Sequence, residues 1–372
     1  MNIDKNISVL DFMNSYPNWV DLLKDQFNIK PREDGEYILL KYNQFETDMS
    51  YRLAQERHGS IFRKDEETGK YIYVCRPFDK FFNYGEQFAA DIDWSTARVT
   101  EKVDGSLCKL WFDKGEWHLS TNGTIDAFKA PVGEKEMSFG EVFLRAAGID
   151  IQTLGSTLNP EYTYMFELTS PETQVVISYN DAVYYLAARE TKTGKEIFEK
   201  PEFADTAQIK YPKVYQINKL DDVIAAANMM SKDEEGFVVN DNKGNRIKVK
   251  SPEYLIAAHL QMNGNVTDKR IMKMLRNDQL DDFLAYAPNC KEKVDRILDA
   301  INRFSEAANE EWERVNSIQY DSQKDFAFAV KDSPFRPYLF LKRVGSDTTP
   351  MDWLLKTAVP KALNMLEPYF RD

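Results

Sequence analysis

The sequence predicts an α+β protein, with an antiparallel-sheet domain over residues 1–255 that begins in a helical segment at 1–30, and an all-α domain over 256–372. Three observations carry this expectation. Short runs of β-forming residues separated by turn residues recur from Tyr37 to Lys250, whereas apolar residues at helical spacing dominate after Ser251. The chain is also long enough for two cores, with 372 residues of which 43% are hydrophobic and 13% aromatic.

Taken in order, residues 1–30 place Val9, Phe12, Trp19, Leu22, Leu23 and Phe27 at helical spacing, with a break at Pro17. Tyr37–Tyr42, Gly59–Arg63 and Tyr71–Arg76 read as short antiparallel strands, divided by Asp-Gly and Glu-Glu-Thr-Gly turns. Ala97–Thr100 is a strand that runs into Glu101-Lys102-Val103-Asp104-Gly105-Ser106. A hairpin signal follows: Leu107–Phe112, a turn at Asp113–Glu116, and Trp117–Thr121 ending at Asn122-Gly123. Tyr162–Leu168 and Val183–Arg189 are further strands, the latter closed by a turn at Thr191–Lys195, and Glu235–Val239 with Arg246–Lys250 makes a second hairpin around Asp241–Asn245. Ser251-Pro252-Glu253 has the form of a helix start, serine capping and proline in the first turn. Beyond it, Val294, Ile297, Leu298, Ile301, Phe304, Ala308, Trp312, Val315 and Ile318 form a stripe on one long helix over 291–318. Shorter helices are expected at 268–276, 279–286, 322–331 and 352–367, interrupted by Pro334, Pro337, Pro350 and Pro360.

Composition narrows the class. A net charge of −12 argues against a generally basic nucleic-acid surface but leaves room for a local cleft. Three widely spaced cysteines (Cys75, Cys108 and Cys290) point neither to a disulfide framework nor to a cysteine metal site, which suits a reducing cytoplasm. His58, His118 and His259 lack ligand-like spacing, and no apolar run is long enough for a signal peptide or a membrane span.

The Lys-x-Asp-Gly stretch is the candidate for chemistry, although such a match alone also describes a surface turn. Its companions are Glu167, a carboxylate among Met165, Phe166 and Leu168, and the strand Arg246-Ile247-Lys248-Val249-Lys250. In isolation Glu167 reads first as the outward residue of an edge strand. Alternation puts Arg246, Lys248 and Lys250 on one face, where three cations would bind phosphate and favour the neutral form of a nearby lysine. Neutralising a lysine of pKa about 10.4 at pH 7 costs roughly 4.6 kcal/mol, and neighbouring charges or burial must supply much of that.

Lys102-Val103-Asp104-Gly105, Phe166-Glu167, Glu235-Gly236-Phe237-Val238 and Lys248-Val249-Lys250 occur in the order and approximate spacing of the covalent nucleotidyltransferases, the ATP-dependent ligases and mRNA capping enzymes. Within them the chain resembles the T-even phage RNA ligase 1 family, through Arg76-Pro77-Phe78-Asp79-Lys80-Phe81-Phe82-Asn83, Arg189-Glu190, and Lys248-Val249-Lys250-Ser251 leading to Tyr254 and His259. The resemblance spans about residues 37–260. It implies a nucleotidyltransferase (adenylation) fold, ATP with AMP carried covalently on Lys102, and Mg²⁺. Glu167 would contact the ribose, Glu235 would organise metal and phosphate, Lys248 and Lys250 would hold phosphate, and Tyr42, Arg57 and Lys80 would touch the nucleotide. Arg57 matches only with a one-residue shift, because His58 precedes Gly59. Asp278 is the candidate metal-contacting carboxylate, against the alternative of a solvated acid between helices.

The resemblance further implies an RNA partner with 5′-phosphate and 3′-hydroxyl ends, tRNA among the candidates, and a monomer in the host cytoplasm. A DNA ligase or guanylyltransferase is the alternative, but either would follow its Lys-x-Lys strand with a small β-barrel, for which the helical tail lacks strands. An inactive RNA-end-binding relative is a third reading. It is motivated by Asn122, where the family carries a basic residue, and by Thr173-Gln174, where it carries Asn-Arg.

Overall fold

The computed structural model describes residues 3–370 apart from 28, 42–47, 57–58, 133–136, 175, 256–266, 277–279, 281–282 and 285–289. The chain forms two compact units, Met1–Gln261 and Met262–Asp372.

In the first unit, β1 (Lys30–Asp34), β2 (Tyr37–Lys41), β3 (Ser60–Lys64) and β4 (Tyr71–Cys75) form an antiparallel meander. One face of it, through Ile38, Leu40, Phe62 and Tyr73, packs on Val9, Phe12, Leu23 and Phe27 of helices Val9–Ser15 and Trp19–Phe27. The amphipathic N-terminal segment therefore covers a sheet face, and its two helices part around Pro17 as expected. The other face packs Leu39, Ile61, Val74 and Cys75 against Trp111 of the next sheet.

The chain continues through β5 (Phe82–Asn83), β6 (Arg98–Glu101), β7 (Ser106–Asp113), β8 (Glu116–Thr121), β9 (Tyr162–Thr169), β10 (Ala182–Glu190), β11 (Glu196–Ile197), β12 (Ile209–Lys210), β13 (Val214–Tyr215), β14 (Gly236–Asn240) and β15 (Arg246–Lys250). These assort into one sheet ordered β11-β10-β9-β7-β8, with β12 parallel to β10, and another ordered β13-β6-β14-β15-β5. The β7–β8 hairpin turns at Lys114 and Gly115, both with positive φ, as a two-residue turn matching strand twist requires.

Alternation divides β7, β9 and β10 into two faces. Cys108, Leu110, Phe166, Leu168, Val183 and Tyr185 pack against helix Phe139–Ala147. Leu107, Met165 and Ala187 point the other way, towards Phe78 and Phe81. That helix is absent from the sequence expectations although its start is spelled out by Ser138 and Glu141, which form a reciprocal capping box. In the other sheet, Val99, Phe237, Val239, Ile247 and Val249 pack on Val223 and Ala227 of a second unanticipated helix, Leu220–Asn228.

The second unit is built on Lys291–Asn316, whose Val294, Ile297, Ile301, Phe304, Ala308 and Val315 are buried, with helices Asp268–Arg276, Gln323–Ala329 and Arg336–Arg343. Phe304 stacks on Trp353 with ring centroids 5.8 Å apart. The helix expected at 352–367 is two, Pro350–Lys356 and Val359–Leu366, and Arg336–Arg343 is an addition. In each of these three, proline occupies the first turn and starts the helix where interruption was read. The helix expected at 279–286 lies largely outside the described residues. No strand follows Lys250, and no helix is long and apolar enough to cross a membrane, among the described residues.

Candidate active site

Lys102 follows directly on β6, and its backbone N–H donates to the Gly236 carbonyl at 2.9 Å, so the β6–β14 ladder extends to it. Its Nζ donates to Glu235 Oε2 at 2.8 Å. Register pairs Gly236 with Lys250, which brings Lys250 Nζ within 3.1 Å of the other oxygen, Oε1. One buried acid thus bridges two amines donated by different strands. Gly236 has φ +139°, and a Cβ there would stand 2.2 Å from the Val249 carbonyl oxygen, so only glycine lets the two strands close around this bridge.

The three-cation face needs a correction. Arg246 is buried in a bidentate pair with Glu196, at 2.7 and 3.2 Å, and its guanidinium lies 4.0 Å from the centroid of the Phe78 ring. Arg246 is thereby taken out of the stripe, whose other members are Lys248, beside the Phe81 ring, and Lys250, paired with Glu235. A carboxylate moreover stands 2.8 Å from the Lys102 amine, a contact that favours the ammonium and opposes the cation-driven neutralisation expected from sequence.

Glu167 sits on β9 between β7 and β10, which overturns the edge-strand reading: the strand is paired on both sides, and Glu167 faces away from the Phe143 core. Its Oε1 accepts the Gly105 N–H at 3.2 Å. A Cβ on Gly105 would meet the Leu168 carbonyl oxygen at 2.5 Å and Glu167 Cγ at 2.9 Å, so the motif's glycine is demanded by close approach to β9. Burial pushes the Glu167 carboxyl up to about 8, with Glu235 and Asp104 adding to the rise and Lys102 opposing it.

Asp104 is buried, and burial together with Glu235 moves it up to about 6. Its Oδ2 accepts the N–H groups of Val176 and Ile177, both at 2.9 Å, and its Oδ1 accepts the Tyr254 hydroxyl at 3.1 Å. The sequence reading treated this aspartate as a turn residue; its buried hydrogen bonds make it a fastener instead. Asp104→Ala strands two buried N–H groups and is expected to destabilise the first unit by about 2–5 kcal/mol, whereas Asp104→Asn, which can still accept from both, should lose less than about half of that. Urea unfolding of the two variants checks this.

The remaining assignments divide by place. Lys80 donates its backbone N–H to Gln55 at 2.8 Å and holds its ammonium 5.6 Å from the Phe82 ring centroid. Lys248 stands 5.0 Å from the centroid of Phe81. Tyr42, Arg57, His58, His259 and Asp278 lie outside the described residues. Among the described residues, no group of three His, Cys, Asp or Glu side chains could hold a metal ion. At Asn122, in place of a basic residue, the structure brings a lysine near from the next strand. Lys109 of β7 is buried and donates to the Gly59 carbonyl at 2.5 Å, and a Cβ on Gly59 would meet both Asn122 Oδ1, at 2.5 Å, and Lys109 Nζ, at 2.8 Å. The loop bearing Thr173 is fixed at its base by Arg145, which reaches Glu172 at 2.8 Å and Asp181 at 2.6 Å.

Residues 58–254 match the family model described as RNA ligase, more than half of the chain. The chain belongs to the T-even phage RNA ligase 1 family. Among relatives of this family member, a protein of Autographa californica nuclear polyhedrosis virus named as a bifunctional polynucleotide kinase/RNA ligase is 28% identical over 93% of this chain and 51% of its own length. An RNA ligase of Rhodothermus phage RM378 is 25% identical over 71% of this chain and 72% of its own. This RNA ligase family chain therefore spans about half the length of its viral relative. A solved archaeal ATP-dependent RNA ligase is 12% identical, covering 89% of this chain and 90% of its own, at a TM-score of 0.39.

Proposed function

We propose that the chain is an ATP-dependent RNA ligase, with Lys102 as the nucleophile. One observation carries the reading: the Lys102 amine, the acids Glu235 and Glu167, and the second amine of Lys250 come from separate segments to one place, and all four lie within the residues that the family model matches. In the first step the Lys102 ammonium gives one proton to solvent, the resulting amine attacks the α-phosphorus of ATP, the N–P bond forms as the bond to pyrophosphate breaks, and the nitrogen releases a second proton to solvent. AMP then passes to the 5′-phosphate of RNA, and a 3′-hydroxyl displaces it to seal the strand, tRNA being one candidate substrate.

The residues supply distinct parts. Glu235 holds Lys102 as an ammonium before ATP arrives, so activation requires this acid to turn from the amine to another partner. Lys248 and Lys250 would stabilise charge on the phosphate oxygens. Glu167 would accept from the ribose and Lys80 would contact the nucleotide. The donor chemistry suits Mg²⁺ arriving with the triphosphate, because hard oxygen donors are present at Glu235 and Glu167 and the raised Glu167 marks an excess of acid that a cation relieves. When bound, the ion would neutralise charge on the phosphates. The helical second unit fits an RNA ligase better than a DNA ligase or guanylyltransferase with an appended barrel.

Incubation with α-labelled ATP and magnesium should leave label on the denatured protein, and the labelled protein should circularise a 5′-phosphorylated RNA. Labelling by GTP in preference to ATP, or sealing of DNA alone, overturns the reading, and RNA binding without labelling points to the inactive relative.

A further inference from the structure

Strand register aligns four residues in a row across one sheet face: Leu107 on β7 pairs with Glu167 on β9, Glu167 with Tyr184 on β10, and Tyr184 with Lys210 on β12. Directly paired residues project to the same face, so Tyr184 and Lys210 extend the face that carries Glu167, opposite the one that Val183 and Tyr185 bury against helix Phe139–Ala147. Lys210 is exposed and places its ammonium 5.8 Å from the centroid of the Tyr184 ring. A second such pair lies across the short link Tyr211-Pro212-Lys213, where Lys213 Nζ stands 4.7 Å from the Tyr215 ring centroid. Lys213 is bound to the residue before the nucleophile: its carbonyl accepts the Glu101 N–H at 2.8 Å and its N–H donates to Glu101 Oε2 at 3.2 Å.

We propose that Tyr184 and Lys210, with Lys213 beside them, form a subsite for the RNA strand delivered to Lys102, a base stacking on Tyr184 and the backbone phosphates lying along the two lysines. This rests on the ligase reading and names where its polynucleotide enters. At about 4.8 Å per strand, Lys210 lies roughly 10 Å from Glu167, the reach of one to two nucleotides from the adenylylation centre. A polyanion approaching Asp104, Glu167 and Glu235 on a chain of net charge −12 needs local cations, and an aromatic face beside ammonium groups is what sequence-tolerant single-strand binding uses. Glu101, the acid bound to this segment, has its carboxylate engaged by the Lys213 N–H.

The test uses the full chain and three variants, Tyr184→Ala, Tyr184→Phe and Lys210→Glu. Lysyl-AMP formation with labelled ATP is expected to match the parent in all three. KM for RNA should rise about tenfold in Tyr184→Ala, corresponding to one stacked base, and stay near the parent in Tyr184→Phe. In Lys210→Glu it should rise with a shallower salt dependence. Two arms identify the strand: AMP transfer to a 5′-phosphorylated RNA reads the donor, and sealing of pre-adenylylated RNA reads the acceptor, a rise in either supporting the subsite. An unchanged KM in both arms for Tyr184→Ala and Lys210→Glu overturns it, as does loss of lysyl-AMP, which would assign the pair to the nucleotide pocket. Should the parent form no lysyl-AMP, the ligase reading falls, and fluorescence anisotropy of a labelled single-stranded RNA on the same variants decides the subsite alone: weaker binding supports it and equal binding removes it.

Discussion

Lys102→Ala is expected to abolish covalent labelling by α-labelled ATP, a loss of more than about 10⁴-fold, because it removes the amine proposed to form the first N–P bond. Lys102→Arg should be as inactive, since a guanidinium keeps the charge and stays protonated. The fold should survive both changes: Glu235 keeps Lys250 at 3.1 Å, so the buried acid is not left without a counter-charge. Labelling of denatured protein, read beside a thermal melt, checks this; label persisting in a folded Lys102→Ala would move the nucleophile to another lysine.

Glu167→Gln is expected to separate activity from stability. In the folded chain the carboxyl holds its proton up to about 8, against about 4.5 when exposed in the unfolded chain. Between these values the folded state binds the extra proton, so this group's contribution to stability falls as pH rises through that window. Glutamine can still accept the Gly105 N–H and removes the penalty. The variant should therefore melt near the parent at pH 5 and above it at pH 8–9, by the equivalent of about 1–3 kcal/mol once solvent screening is allowed for. If Glu167 accepts from the ribose as proposed, ligation should fall by about 10- to 100-fold at pH 9, where the parent carboxyl is ionised and glutamine offers only a neutral acceptor, and by less at pH 7. Melting curves at pH 5, 7 and 9 with parallel ligation assays decide the matter. A parent and variant whose difference does not grow with pH would show that Glu167 is ionised throughout.

The longer strands from Tyr37 onward were legible because they combine β-forming residues with turn chemistry at their ends, as at Lys114-Gly115 and Asp241–Asn245, whereas Lys30–Asp34, rich in charge and holding a proline, and the two-residue strands β5, β11, β12 and β13 were not. The long helix at Lys291–Asn316 was legible from its stripe. Helix Leu220–Asn228 was not, because it is short and its start at Lys219 has no side-chain cap. At the site, residue types and order pointed to Lys102, Glu167, Glu235, Lys248 and Lys250, but sequence could not show who pairs with whom. Arg246 looked equivalent to Lys248 and Lys250 by alternation; only the approach of Glu196 on β11 takes it away. The position of Glu167 in mid-sheet depends on β10 returning to pair with β9, a long-range choice that no local pattern encodes. The partners of Asp104 lie 72 and 150 residues away, which is why its part was invisible.

That long reach bears on how the first unit could be cut out and studied alone. A fragment trimmed at Lys250 would retain every β-strand of the unit yet forfeit the phenol that grips the Lys-x-Asp-Gly loop from behind. Extending the fragment past Tyr254 restores the grip, so the minimal working piece is delimited by one hydroxyl rather than by the last rung of a sheet.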